Sequence, residues 1–217
     1  MSKLLENNAS KILKMLKEIY PDAKCSLNFN SPFELLVAVV HSAQCTDERV
    51  NKTTPSIFKK YNTPISFSKI DIHTLEELIH PCGFYHTKAK NLKACAQKIV
   101  DDFNGEVPQT MEELISLPGV GRKSANVIML NAFNKPTGIA IDTHAKRICN
   151  RIGLSTQTEP IKIEQDLLKI LKKEYIKDAN HLFVYHGRNL CSARNPKCDK
   201  CPLNDLCSYY KKLHIKK

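Results

Sequence analysis

Two sets of residues have types and spacings that imply chemistry. The first is a single lysine, Lys123, inside Leu117-Pro118-Gly119-Val120-Gly121-Arg122-Lys123-Ser124-Ala125-Asn126. A cation there falls in the first turn of a helix, where the dipole costs it a few tenths to about 1 kcal/mol. Arg122 beside it adds to that penalty. An amine held against its electrostatic interest is a candidate nucleophile; the plainer alternative is a solvated lysine that touches phosphate. The second set is Cys191, Cys198, Cys201 and Cys207, spaced C-x6-C-x2-C-x5-C within 17 residues. In a reducing compartment this reads as a metal site rather than as disulfides. Four thiolates suit tetrahedral zinc or a [4Fe-4S] cluster, and spacing alone does not choose between them.

The elements around Lys123 follow from local rules. Thr110 with Glu113 three residues later is a capping box, so a short helix is expected to about Ser116. Pro118 cannot continue it, and Gly119 and Gly121 permit a tight turn with positive φ. From Arg122 onward, Ala125, Val127, Ile128, Leu130, Ala132 and Phe133 read as a second, mostly buried helix. Helix, hairpin, helix is the result. The backbone N–H groups of Gly119, Val120 and Gly121, with Arg122, would grip a phosphate without regard to sequence. An echo of this pattern lies 36 residues earlier. Thr74 to Ile79 matches Thr110 to Ile115, Gly83 matches Gly119 and Ala89 matches Ala125, but Tyr85 stands in place of Gly121. It reads as a second corner without the open phosphate nest, with Phe84 and Tyr85 at its tip.

A net charge of +11 over 217 residues points to a polyanionic partner. Charge alone also fits a ribosomal or membrane-surface protein. With 42% hydrophobic and 25% charged residues the composition is that of a globular protein. No apolar run approaches the roughly 18 residues of a membrane span. The first residues, with Glu6, Asn7 and Asn8, lack a secretory h-region, so a cytosolic protein is expected. The five scattered cysteines, Cys25, Cys45, Cys82, Cys95 and Cys149, read as small buried or partly exposed thiols.

Elsewhere the chain is read as helices. An amphipathic helix with Ala9, Ile12, Leu13, Leu16 and Ile19 on one face ends before Pro21. Ser31, Pro32 and Glu34 start an apolar helix that runs toward Cys45, and Asp47 to Tyr61 is a more polar one. Thr74 with Glu77 caps a short helix, and a longer one from Thr87 to about Phe103 is closed by Gly105. Ile139 to Ile141 is expected to be extended. Asp142 is then the N-cap of a helix reaching Arg151, with Gly153 at its end. Glu164 to about Tyr175 and Asn180 to about Leu190 complete the set. No period-2 strand pattern occurs, so the fold class is all-α.

Leu117 to Ala125, together with Ile141-Asp142-Thr143-His144, resembles the helix-hairpin-helix DNA glycosylase superfamily, and within it the endonuclease III family, over about Pro32 to Tyr209. The resemblance implies two helical domains: residues 25–135 as a six-helix barrel domain with the helix-hairpin-helix, and residues 1–24 and 136–217 as a discontinuous iron-sulfur cluster domain. A DNA-binding cleft between them would face Lys123 toward Asp142. It also implies a base-excision-repair glycosylase and abasic-site lyase for oxidised pyrimidines, acting through a lysine Schiff base and β-elimination. Its partner would be damaged double-stranded DNA, with no membrane and one chain per functional unit. Asp142 would assist Lys123, beyond the N-cap role that an aspartate fills by itself. The four cysteines would hold a [4Fe-4S] cluster that presents Arg194, Lys197 and Lys200 to phosphates. Gln44 would fill the gap left by a flipped nucleotide, with Asp47 near the pocket. Phe84 stands where the family usually has a wedging leucine, and His41 and Cys45 also depart from its pattern. His144 and His186 read as hydrogen-bonded helix residues rather than ligands. Alternatives are a monofunctional mismatch glycosylase, which would lack the amine nucleophile, and a non-catalytic helix-hairpin-helix module with structural zinc.

Overall fold

The structure, a computed structural model, describes residues 3–215. In chain order the helices are α1 (Lys3–Ile19), α2 (Pro32–His41), α3 (Asp47–Phe58), α4 (Pro64–Ser68), α5 (Ile72–Ile79) and α6 (Tyr85–Asp102). There follow α7 (Met111–Ser116), α8 (Arg122–Phe133), α9 (Thr143–Ile152), α10 (Pro160–Ile170), α11 (Lys173–Asn189) and α12 (Ser208–Ile215). Short 3-10 turns cover His80–Cys82, Cys198–Lys200 and Asn204–Leu206. Among the described residues there is no strand, and the fold is all-α. The chain separates into two compact units, Cys25–Thr137 and Met1–Lys24 with Gly138–Lys217.

In the Cys25–Thr137 unit, α2 is the central element. Every residue from Phe33 to His41 is buried, so this helix has no solvated face and must be surrounded. It packs against α8, α3 and α6. Its start is fixed as expected: the Ser31 side chain accepts the Glu34 N–H, and Pro32 occupies the first turn. α3 carries Pro55 inside it and ends at Phe58, short of the expected Tyr61. Proline removes the bond to the Asn51 carbonyl. The Asn51 side chain ties down the preceding loop, donating to Ser26 O at 2.7 Å and accepting from Asn28 N at 2.9 Å.

Thr74 does not cap α5 as expected. Asp71 does, accepting the Thr74 N–H at 3.0 Å, and Thr74 lies inside the helix. A carboxylate is the stronger acceptor, and the helix gains a turn by starting earlier. α6 likewise begins at Tyr85 rather than Thr87. α4 was not anticipated, although Thr63 and Pro64 carry its start signal and Thr63 and Ser66 cap each other reciprocally.

In the other unit, α1 buries Ala9, Ile12, Leu13 and Leu16 and packs on α11 and α10. α10 begins at Pro160, before the expected Glu164, and stops at Ile170, while α11 begins at Lys173 rather than Asn180. The break falls at Leu171 and Lys172, both extended, with neither Gly nor Pro to announce it. The burial of Leu171 in the core gives the physical reason: the chain leaves helical register to deliver that side chain.

Candidate functional site

The hairpin between α7 and α8 is built by one glycine more than by the other. Gly119 has φ +80, and a Cβ there would stand 3.1 Å from Val40 Cγ1 and 3.2 Å from Asn91 Cβ. Both backbone and packing therefore demand glycine. Gly121 departs from expectation. Its φ is −98 with ψ 174, which is ordinary extended backbone, and a Cβ would meet nothing within 4 Å. Its role is space, not conformation. Gly121 is also the N-cap of α8 and makes no side-chain cap bond. The leading N–H groups of that helix therefore have no side-chain acceptor at the cap, the arrangement that receives an anion. Val120, expected to offer its N–H to a phosphate, instead anchors the hairpin twice: its side chain is buried and its N–H donates to Leu117 O at 3.1 Å. Lys123, in the first turn, is exposed. Upstream, Thr110 accepts the Glu113 N–H at 3.3 Å, and its hydroxyl donates to Glu113 Oε2 at 2.7 Å, which closes the start of α7.

Two further loops of the same unit hold the remaining candidates. Gln44 follows α2 with φ 53, and Phe84 precedes α6 with φ 50, both left-handed conformations that non-glycine residues seldom adopt. Both side chains are exposed, Phe84 to 69%. An aromatic ring left in water on a strained loop is poor folding economy and good contact surface. The end of α2 supports both regions: Val40 lies against Gly119, and His41, fully buried, lies close enough to Lys88 at the start of α6 to feel its charge. Burial, then that neighbouring cation, pushes the His41 imidazole from 6.5 down to about 4. Lys88 donates to Cys82 O at 2.9 Å, the residue before Gly83.

Asp142 lies in the other unit, half-buried, as the N-cap of α9, where its Oδ1 accepts the Ala145 N–H at 2.8 Å. That bond fixes the side chain and leaves Oδ2 available. At its far end α9 closes on Gly153, φ +95, where a side chain would collide with Ser208.

Between these ends α9 carries two arginines that sequence reasoning missed. Arg147 Nε donates to Cys191 O at 3.0 Å, and Arg151 Nη1 donates to Ser192 O at 2.7 Å and approaches Cys191 Sγ at 3.4 Å. Their i, i+4 spacing on the polar face of a strongly amphipathic helix was the available signal. One helix thus holds Asp142 and the first cysteine in fixed relation. His144 bonds Arg147 Nη2 at 3.1 Å through Nδ1. His186 is buried between Tyr20 Oη (3.3 Å) and Cys201 Sγ (3.6 Å).

Cys191, Cys198, Cys201 and Cys207 line one cavity with His186 and Leu203. Burial first, then the charges of the other cysteines, pushes the Cys198 and Cys201 thiols up. A cationic centre bound by their sulfurs would relieve that penalty. Zinc with Zn–S bonds of about 2.3 Å would draw four sulfurs to about 3.8 Å from one another. Among the described residues no three His, Cys, Asp or Glu side chains gather closely enough to hold one metal ion. Four thiols around one cavity are a donor set that can hold an iron-sulfur cluster. Arg194, Lys197 and Lys200 are exposed on this loop, which Asn195 turns with φ 50.

The chain matches the HhH-GPD superfamily of base excision DNA repair proteins over residues 37–173, and the iron-sulfur binding domain of endonuclease III over residues 191–207. It is 48% identical to endonuclease III of Synechocystis sp. over 95% of this chain and 97% of that protein. Identity to the Escherichia coli K12 endonuclease III is 42%, over 94% and 96% respectively. A solved structure of a trapped endonuclease III–DNA covalent intermediate with an estranged adenine aligns with a TM-score of 0.88 and 42% identity, over 93% of this chain and 95% of that one.

Proposed function

Because this chain belongs to the HhH-GPD superfamily of base excision DNA repair proteins, and within it to the endonuclease III family, we propose that Lys123 and Asp142 perform its chemistry. The enzyme is a DNA glycosylase with abasic-site lyase activity on oxidised pyrimidines, and it carries a [4Fe-4S] cluster. Among the described residues no helix is long and apolar enough to cross a membrane. We infer that it works in the cytoplasm of a bacterial cell, which a substrate of genomic DNA supports.

In this reading the phosphate backbone is held by the N–H groups of Gly119 and Gly121, where α8 offers no side-chain cap, while the Val120 N–H closes the hairpin on Leu117 O at 3.1 Å. The damaged nucleotide is extruded at a cost of a few kcal/mol, less for a lesion than for a paired base. Gln44 occupies the vacated space, and Phe84 stacks against the orphaned base. The amine of Lys123 attacks C1′ and displaces the base. Asp142 takes up the lysine proton and stabilises the positive charge that develops on the sugar. Loss of a C2′ proton from the resulting protonated Schiff base breaks the C3′–O bond. Cys191, Cys198, Cys201 and Cys207 hold the cluster, which supplies structure: it fixes the loop that points Arg194, Lys197 and Lys200 at phosphates.

The observation that carries the assignment is the exposed Lys123 in the first turn of a helix whose cap position is bare glycine. Borohydride added during reaction with a duplex containing an oxidised pyrimidine reduces the imine and links protein to DNA. Wild-type enzyme is trapped and Lys123→Ala is not; trapping of the variant would mean that another amine attacks. Brown broad absorbance of the purified protein, lost in Cys198→Ala, reports the cluster.

A further inference from the structure

His186 is 1% exposed and lines the cavity of the four cysteines, yet the glycosylase and lyase chemistry gives it no part. It meets Cys191 and Cys201 through different atoms. Its carbonyl, in the last turn of α11, accepts the Cys191 N–H at 2.9 Å, and its Nε2 lies 3.6 Å from Cys201 Sγ. Sulfur is a larger acceptor than oxygen, so the second distance is within hydrogen-bonding reach. The opposite ring nitrogen is also taken. Tyr20 directly follows α1, where its N–H still bonds Leu16 O at 2.9 Å, and α1 packs on α11. That brings the Tyr20 hydroxyl to 3.3 Å from His186 Nδ1, with the two rings edge to face at 6.1 Å between centroids.

The chemistry of the two ends decides which atom donates. A cysteine that holds iron is a thiolate, and a thiolate only accepts, so Nε2 carries the ring proton. Nδ1 is then the acceptor, and the Tyr20 hydroxyl donates to it. A bond donated to Nδ1 fixes the tautomer and polarises the opposite N–H, which strengthens the contact with sulfur.

We propose that Tyr20 and His186 are positioning residues for the iron-sulfur cluster: His186 hydrogen-bonds the Cys201 sulfur, with its tautomer set by Tyr20, and so raises the reduction potential and the retention of iron. A donor aimed at a ligand sulfur stabilises the electron-richer, reduced form, which gives the direction of the effect. The same bond keeps the sulfur in its place against loss of metal. The inference rests on the reading of Cys201 as a cluster ligand.

Voltammetry of the purified holoenzyme, free of DNA, tests the bond. His186→Phe keeps a buried ring without an N–H, and its potential should fall; His186→Gln, which returns an amide N–H, should restore most of it. Tyr20→Phe should lower the potential by less, because the imidazole keeps its own proton. Against an excess of iron chelator, His186→Phe should lose its brown absorbance roughly tenfold faster than the wild type. A ring that is merely packed would alter iron loss and leave the potential unmoved. An unchanged potential in His186→Phe therefore overturns the proposal, as does a His186→Gln potential as low as that of His186→Phe. If His186→Phe retains no iron, Tyr20→Phe decides in its place: a lower potential supports the bond and an unchanged one overturns it. Cys201→Ala tests the reading beneath. Full iron and absorbance in that variant would remove Cys201 as a ligand and the proposal with it, whereas iron loss there with an unmoved potential in His186→Phe overturns the proposal alone.

Discussion

The two corners that precede α6 and α8 start from nearly the same sequence and end as opposite devices. In each, a short helix stops, one glycine takes a positive φ (Gly83 +63, Gly119 +80) and a new helix begins without a side-chain cap. At the second corner the neighbour of that glycine, Val120, is buried, and bare Gly121 leaves an opening beside the helix start. At the first corner the neighbour is Phe84, left-handed and exposed. One corner presents backbone donors and the other an aromatic ring. The difference teaches that a helix-turn-helix corner is neutral scaffolding: the residue after the glycine, turned inward or outward, decides whether it receives a phosphate or inserts into a base stack.

The comparison breaks most readily at Gly119. An alanine there meets both a positive φ and contacts of 3.1 and 3.2 Å with Val40 and Asn91, so Gly119→Ala should cost about 2–4 kcal/mol in urea unfolding. A smaller effect is expected at the first corner. Phe84→Ala should leave unfolding unchanged, because the ring is exposed, but weaken binding to lesion duplex by about 1–3 kcal/mol, the usual worth of a base–aromatic stack. Equal binding by the variant would reduce Phe84 to an ornament of the surface. Gly121→Ala sharpens the contrast between the two hairpin glycines. With open space and extended backbone it should change stability by less than about 0.5 kcal/mol. DNA affinity should still fall, since the methyl group enters the space a phosphate needs.

The smallest effect concerns the support shared by both corners. His41, buried and held near 4, stays neutral in the folded state while the unfolded chain binds a proton near 6.5. A group whose folded value lies below its unfolded one contributes stability fully above pH 6.5, and that contribution is lost as pH falls toward 4. The urea midpoint of the wild type should therefore drop between pH 7 and 5, and His41→Leu should flatten that slope. Identical slopes would assign the acid sensitivity to His186 and His181, which burial also lowers.

What the sequence alone determined about this protein lies within a few residues of its cause. The caps at Ser31, Thr110 and Asp142 are legible because an N-cap bond spans only three positions. The all-α class follows from the same local periodicities, and the spacing of Cys191 to Cys207 shows a metal loop because its ligands sit on one short segment. Local rules erred where two signals competed nearby: Asp71 outbid Thr74 as the cap of α5, and so the internal echo does not extend to the helix starts. Tertiary structure decided everything that joins distant residues. It set Val40 and Asn91 against Gly119, bound Arg147 and Arg151 to the Cys191 segment some 40 positions away, and broke the chain between α10 and α11 to bury Leu171. Close packing is the reason: which surfaces meet depends on the shape of the whole core, and no window of sequence contains that shape.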